Sequence, residues 1–450
     1  MYRICTPTEK SKYDLGELAK EFLLPEDFAI FTAEEDPPGD FDLIIPDDDS
    51  KFVRGRALYD FLVKETGKTQ DWGILVGVRP KKLYSELVNK YGMQEAERIM
   101  SEEYCLSERK IDLLRDTYLT QQEALANEDR NAVGIYIGIP FCPTRCLYCS
   151  FTSYKISDEA SKAYLEALFK EMTAVSGILK QKGYFAESIY IGGGTPTSLS
   201  DDDFERFIAK TEEVFVCDKT VEFTVECGRP DTINEAKLRT ILRHGANRIS
   251  INPQTMKAHT LELIGRAHKP EDIIDSYRLA RNTGNFYINM DLITGLPEES
   301  PEDFRNTLDE IIALGPENIT VHTLAVKKAS RLIEEDKEYN YRQGETVRAQ
   351  LDYAGEALKA AGYKPYYLYR QKHMTGNFEN VGYCKPGSAS LYNIRIMEEN
   401  QSIIALGAGG ISKMYYPEEN RLERIPNVSN YQIYIERIDE MIRRKEEGIL

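Results

Sequence analysis

From Val133 onward, short apolar runs alternate with longer amphipathic segments. The runs read GIYIGIP, SIYIGG, EFTVEC, RISIN, FYINMDLI and ENITVHTLAV, and a segment with helical spacing follows each of the first five. Each connection is long enough for a crossover, so the pattern predicts parallel βαβ units with right-handed connections. Six units over roughly 200 residues favour an incomplete (β/α)6 barrel over a complete eight-fold one.

The regions on either side of this alternation have different patterns. Residues 1–130 combine short mixed segments such as DFAIF with helix-patterned stretches such as RALYDFLVKE, and predict an α+β N-terminal domain of unknown role. Residues 131–345 carry the α/β barrel. After residue 345 a helical stretch leads into PYYLYRQKHMTGNFENVGY, SIIALGAGGIS and a final charged helix. We interpret residues 346–450 as a C-terminal extension that covers a substrate.

Composition narrows the class of protein. The 450 residues are 42% hydrophobic and 29% charged, as in soluble globular proteins. A net charge of −17 argues against non-specific nucleic-acid binding and predicts little attraction to anionic membranes. No apolar run approaches the roughly 20 residues that span a bilayer, and the N-terminus lacks a secretory signal. We therefore expect a cytoplasmic protein; its oligomeric state stays open.

Three of the eight cysteines, Cys142, Cys146 and Cys149, form a C-x3-C-x2-C motif directly after the first strand-like run. Thiolates suit iron–sulfur clusters, and three ligands leave one iron of a 4Fe–4S cluster open. That iron can chelate the amino and carboxylate groups of S-adenosylmethionine (SAM). The alternatives are a zinc site, which would need a fourth ligand, or incidental clustering. The nearest histidine, His244, lies far along the chain.

The segment IPFCPTRCLYCSF, with Tyr148 before the third cysteine, resembles the radical SAM superfamily. Within it, the chain resembles the branch of oxygen-independent coproporphyrinogen III oxidase and its related haem chaperone, from Val133 to about Gly410. The first region, with GILVGVRPKKL, YRQKHMTGNFENVGY and IIALGAGG, is most similar to the HemZ type of coproporphyrinogen dehydrogenase. The resemblance implies a 4Fe–4S cluster, one or two SAM molecules, a tetrapyrrole substrate, and an electron donor such as flavodoxin or ferredoxin.

Residues at the predicted strand ends match SAM-binding positions of the resembled family. Glycines in the GGGTP turn let backbone N–H groups approach a ligand closely, and a carboxylate such as Asp291 can bind ribose hydroxyls. The contact residues implied by the resemblance are Tyr136, Tyr148, Gly193, Gly194, Thr195, Glu226, Gln254, Arg266, Asp291 and Ala325. A second SAM site would use Gln254, Arg266 and Asp291, with Tyr148 as a further candidate. The alternative is that these are ordinary turn, strand or loop residues.

The chain also departs from its resembled relatives. Phe151 stands where the oxidase has a further cysteine, and Gly138 stands where it has a histidine. The HNxxYW haem motif of the chaperone is absent, because the single tryptophan, Trp72, lies far upstream. These differences place the chain beside the oxidase and weaken the chaperone interpretation.

A basic, tyrosine-rich stretch between residues 361 and 397 is a candidate substrate site. The stretch contains five cations and a single carboxylate, Glu379, within an otherwise acidic chain. The cations are Lys364, Arg370, Lys372, Lys385 and Arg395. Cations would pair with propionates, and tyrosine rings could pack on a tetrapyrrole. The alternative is a solvated basic face with aromatic core residues.

Three functions remain at this stage. The first hypothesis is oxidative decarboxylation of two propionates of coproporphyrinogen III, which gives protoporphyrinogen IX in haem biosynthesis. The second is a haem-binding carrier or chaperone on the same scaffold, and the third is another radical SAM modification of a tetrapyrrole. Fold and cluster do not separate them, since function depends on the site.

Overall fold

The computed structural model describes residues 1–35, 39–48, 50–77, 79–125, 129–149, 153–325, 343–371 and 378–449. Near the N-terminus, a small parallel sheet of order β2-β1-β3 packs against two helices. The elements are β1 (Tyr2–Thr6), α1 (Glu9–Ala19), β2 (Phe28–Thr32), β3 (Leu43–Ile44) and α2 (Lys51–Thr66). Ile4, Leu18 and Leu58, each at most 1% exposed, belong to a hydrophobic cluster of their own.

Three helices connect this unit to the rest of the chain: α3 (Pro80–Tyr91), α4 (Met93–Arg98) and α5 (Glu108–Ala124). Their buried residues Tyr84, Ala96 and Leu114 pack into the main hydrophobic core, not into the N-terminal cluster. The helical half of the predicted N-terminal domain therefore shares a core with the barrel. The division of the chain at residues 130 and 345 stays a prediction.

Six parallel strands lie side by side in chain order, which confirms the predicted incomplete α/β barrel. The strands are β4 (Ala132–Ile139), β7 (Phe185–Gly193), β8 (Glu222–Glu226), β9 (Arg248–Ser250), β10 (Tyr287–Thr294) and β11 (Asn318–Thr323). A short parallel pair, β5 (Phe141–Cys142) and β6 (Tyr154–Lys155), flanks the cysteine loop, residues 142–149. The connecting helices are α6 (Asp158–Lys182), α7 (Asp201–Phe215), α8 (Glu235–Arg243), α9 (Ala258–Leu263), α10 (Pro270–Thr283) and α11 (Pro301–Leu314).

The two faces of these strands differ because side chains alternate along a strand. On β10 and β11, Met290 and Ile319 are fully buried in the main core, where they pack with residues of the surrounding helices. Asp291 pairs with Thr320 on the opposite, inner face. The inside of the barrel is therefore polar.

The C-terminal segment extends the sheet at both edges, giving eleven strands that stay open. Antiparallel β13 lies beside β11, and β14 lies parallel to β4. The elements are α12 (Gly344–Ala360), β12 (Lys364–Arg370), β13 (Glu379–Cys384), α13 (Leu391–Glu398), β14 (Ile403–Leu406), β15 (Ile411–Tyr416), β16 (Arg421–Pro426), α14 (Tyr431–Glu436) and α15 (Ile438–Gly448). The single predicted final helix is two helices, because the backbone leaves helical geometry at Arg437.

Helix α13 closes the end of the barrel opposite the cysteine loop. The backbone N–H of Leu391 donates to the Glu222 carboxylate at 2.7 Å, at the start of β8. Buried Arg248 pairs with Glu222 at 3.1 Å and donates to Asn318 at 2.8 Å. Within the described residues, these contacts close the amino ends of the strands, so a ligand would approach the inner face from their carboxyl ends. Among the described helices, none is both long and apolar enough to cross a membrane.

Candidate active site

The cysteine loop begins where β4 ends, at the carboxyl edge of the parallel strands. Cys142, Cys146 and Cys149 are thiols, and each is partly exposed. Within the described residues, no group of three or more His, Cys, Asp or Glu side chains is arranged to hold a single metal ion. Three thiolates would leave one iron of a 4Fe–4S cluster without a protein ligand. Phe151 lies outside the described residues.

Two arginines, one buried and one partly exposed, hold the cysteine loop in place. Arg229, 4% exposed, donates to the Thr144 hydroxyl at 2.8 Å. Arg266 donates to the Tyr148 hydroxyl at 3.1 Å and to the Gly228 carbonyl at 2.9 Å. Its Nε has no hydrogen-bond partner in the described part of the chain. Sequence reasoning identified Arg266 and missed Arg229, although Arg229 lies in the loop that follows the end of β8.

The GGGTP turn at the end of β7 lies against the start of the cysteine loop. The N–H of Gly194 donates to the Ile139 carbonyl at 2.7 Å, and the Thr195 hydroxyl lies 3.4 Å from the Cys142 sulfur. A Cβ on Gly194 would come within 2.4 Å of the Phe141 carbonyl oxygen. Glycine is therefore required here, because the turn and the loop approach each other closely.

Glu226 ends β8 beside this turn. The Tyr190 hydroxyl donates to its carboxylate at 2.6 Å, and a Cβ on Gly192 would come within 2.9 Å of that carboxylate. Burial raises the pKa of Glu226 to about 7, and the nearby charge of Asp291 acts in the same direction. A buried carboxylate of this kind gains most from a cationic or hydrogen-bonding ligand.

Gln254 and Asp291 are joined across neighbouring strands. The Gln254 N–H donates to the Asp291 carbonyl at 2.9 Å, and the Gln254 side chain is 6% exposed, with φ at +67°. Burial opposes ionisation of Asp291, but the nearby His322 imidazole and the hydrogen bond from Asn289 outweigh it and lower its pKa. Ala325 follows β11 at the same edge and is half-buried.

A column of tyrosines continues the site down the inner face. Tyr136 stacks on Tyr190 with ring centroids 6.3 Å apart, and Tyr190 stacks on Tyr392 of α13 at 4.7 Å. Buried hydroxyls of this barrel lack a hydrogen-bond partner within the described residues; they are Ser188, Thr224 and Ser250. Such atoms require water or a polar ligand. Sequence reasoning missed Tyr190, since a tyrosine in an apolar strand carries no distinguishing signal.

The cations of the basic stretch pair with groups of the protein itself. Lys372 lies outside the described residues. The pairs of the other four are Lys364 with Glu123 (3.3 Å), Arg370 with Glu21 (3.3 Å), Arg395 with Glu187 (3.5 Å) and Lys385 with the Gly315 carbonyl (2.7 Å). Tyr363, Tyr366 and Tyr383 are buried. Arg370 and Arg395 are at most 5% exposed and lie in ion pairs, which contradicts their predicted contact with propionates, whereas the partly exposed Lys364 and Lys385 stay candidates.

Comparisons with known proteins agree with this geometry. The sequence profile of the radical SAM superfamily matches residues 136–311. The chain is 41% identical over 398 residues to the oxygen-independent coproporphyrinogen-III oxidase-like protein HemZ of Bacillus subtilis, covering 86% of this chain and 79% of that protein. It is 31% identical over 275 residues to the heme chaperone HemW of the same organism, covering 61% and 69%.

Among solved structures, coproporphyrinogen III oxidase (HemN) from Escherichia coli matches with a TM-score of 0.56. The match covers 71% of this chain and 72% of that protein, at 22% sequence identity. It extends the similarity to the fold.

Proposed function

Since the chain belongs to the radical SAM superfamily, within its HemN/HemW-like family, we propose that it is an oxygen-independent coproporphyrinogen III oxidase. It converts two propionates of the substrate to vinyl groups, giving protoporphyrinogen IX. The observation that carries this proposal is the meeting of the cysteine loop, the GGGTP turn, Glu226 and Asp291 at one end of six parallel strands. Identity of 41% to a HemZ protein supports the choice of substrate. A cytoplasmic location is part of the proposal.

The three thiolates of Cys142, Cys146 and Cys149 would hold a 4Fe–4S cluster. When bound and reduced by a flavodoxin- or ferredoxin-type donor, cluster and SAM supply the 5′-deoxyadenosyl radical that removes a hydrogen from a propionate side chain. The protein's part is to fix the loop. Arg229 and Arg266 do so by hydrogen bonds to Thr144 and Tyr148.

The residues around the loop would hold SAM. The backbone of Gly193 and Gly194 and the side chain of Thr195 lie nearest the cysteines, and the Glu226 and Asp291 carboxylates lie on the next strands. Carboxylates suit the amino group and the ribose hydroxyls of SAM. Further proposed contacts, for one or two SAM molecules, are Tyr136, Tyr148, Gln254, Arg266 and Ala325.

The test is turnover under anaerobic conditions. Reconstituted protein is incubated with SAM, a reductant, an electron acceptor and coproporphyrinogen III, and products are followed by mass spectrometry. Loss of two CO2 per substrate supports the proposal. Cys146→Ala should lose iron and activity together, while the matched control Cys217→Ala, at an exposed cysteine just after α7, should keep both. Intact substrate with active SAM cleavage would refute the proposed substrate.

Haem binding is the second candidate, favoured by the similarity to HemW. The single tryptophan offers it little support, because Trp72 is 2% exposed and its indole N–H donates to Glu379 at 2.8 Å. Titration of the same protein with haem separates the two functions. Stoichiometric haem binding without decarboxylation would favour the carrier.

A further inference from the structure

His322 lies on the inner face of β11, beside Asp291. Its Nε2 is 3.8 Å from the Asp291 carboxylate, and its side chain is 29% exposed. The same carboxylate accepts from Asn289 at 2.7 Å, and Asn289 accepts in turn from the Thr320 hydroxyl at 3.0 Å. Hydrogen bonds from Thr320 to Asn289 and from Asn289 to Asp291 therefore fix the carboxylate, and the imidazole lies beside it.

The position of His322 directs it towards the site. It is the penultimate residue of β11, at the strand end where the cysteine loop lies. Its neighbour Val321 is fully buried in the main core, so the imidazole points to the other, inner face. Because α13 closes the opposite end of the barrel, the partly exposed His322 imidazole faces a ligand that enters at the carboxyl ends of the strands.

The charge around the site leaves a role for a hydrogen-bond donor. Glu226 and Asp291 make the inner face acidic, and a substrate that carries carboxylates needs donors there. Arg229 and Arg266 are engaged by the cysteine loop, and Arg370 and Arg395 are buried in ion pairs. The imidazole of His322 can supply an N–H donor.

We propose that His322, beside Asp291 on the inner face of β11, donates a hydrogen bond to a carboxylate of the substrate and so selects tetrapyrroles that carry propionates. This inference rests on the proposed function for the identity of the substrate, but the recognition of a carboxylate stands on the geometry of β10 and β11. A charge-assisted hydrogen bond of this kind changes affinity about ten- to a hundredfold.

The test compares His322→Gln with His244→Gln. His244 also lies between two carboxylates, Glu212 at 2.6 Å and Glu205 at 3.0 Å, but on the outside of the barrel after α8. Three quantities are measured: KM for coproporphyrinogen III, Kd for SAM, and SAM cleavage without substrate. We expect His322→Gln to raise KM about tenfold or more, with the two SAM quantities and the fold unchanged. The control should alter none of them.

A second arm uses the tetramethyl ester of coproporphyrinogen III, which has no free carboxylate. The quantity compared is Kd. Wild type should bind the acid more tightly than the ester, and His322→Gln should bind the two with similar affinity. An unchanged preference, or an equal loss of SAM binding, would overturn the inference. If wild type fails to decarboxylate coproporphyrinogen, the proposed function fails, and binding of coproporphyrin and its ester to the two proteins, followed by fluorescence, still tests His322.

Discussion

Glu226 should make the protein without SAM less stable than it would be with an uncharged residue. Its pKa is raised from 4.5 to about 7 in the folded state because it is buried. The unfolded chain ionises near 4.5, so the folded state holds the extra proton between these values, and stability falls as pH rises from 4.5 to 7. At about 1.4 kcal/mol per pKa unit, the cost of the buried charge above pH 7 is about 3 kcal/mol.

Glu226→Gln removes that cost and keeps an acceptor for the Tyr190 hydroxyl. We expect the substituted protein to match wild type at pH 4.5 and to be more stable by about 3 kcal/mol at pH 8. The assay is urea unfolding of the SAM-free protein at several pH values, followed by tyrosine fluorescence. In a parallel titration, SAM affinity should fall about tenfold or more, because the proposed ligand loses its carboxylate.

Glu299→Gln provides the matched control. Burial also raises the pKa of Glu299 to about 7, but this residue is not among the proposed SAM contacts. It should stabilise the protein at pH 8 in the same way and leave SAM affinity unchanged. If Glu226→Gln brings no gain at pH 8, or the same gain at pH 4.5 as at pH 8, the reasoning about its burial is refuted.

Three further changes test other parts of the structure. Gly192→Ala brings a methyl within 2.9 Å of the Glu226 carboxylate, so SAM affinity should fall about tenfold. Gly177→Ala, in open space on α6, should leave SAM affinity unchanged and stabilise the fold by about 0.5–1 kcal/mol. Equal SAM affinity in the two variants would contradict the close approach. Lys445→Met leaves the fully buried Glu171 without its cation at 2.8 Å and should cost about 3–5 kcal/mol in urea unfolding; a loss below about 1 kcal/mol would argue against the pair. Arg229→Ala should speed iron loss to a chelator, and unchanged release would show that the arginine does not anchor the cysteine loop.

The parallel strands could be predicted because their signal is local. Each apolar run is followed by a helix-patterned segment, and that alternation permits few topologies. The cysteine spacing and the position of Glu226 at the end of β8 likewise follow from residues close in sequence, whereas Asp291, predicted at a strand end, lies inside β10. The motif alone could distinguish neither one SAM molecule from two nor an oxidase from a chaperone.

The features that sequence reasoning missed depend on long-range contacts. Arg370 reads as a substrate-facing cation, but it pairs with Glu21, almost the whole chain away. Tyr190 and His322 look like ordinary strand residues until the register of the sheet shows what lies across from them. The roles of these three side chains depend on which distant segments of the chain pair with each other. A local sequence pattern does not encode that pairing.

The placement of β13 and β14 on the two flanks of the parallel strands limits how the chain can be divided. A fragment of residues 131–345 would leave the backbone of β4 and β11 unpaired at both edges. Open edges of this kind recruit other strands, so that fragment should aggregate although it contains every cysteine of the motif. A fragment meant to stay soluble therefore has to continue at least through β16. The last hundred residues cover both edges of the parallel strands and so protect them from aggregation.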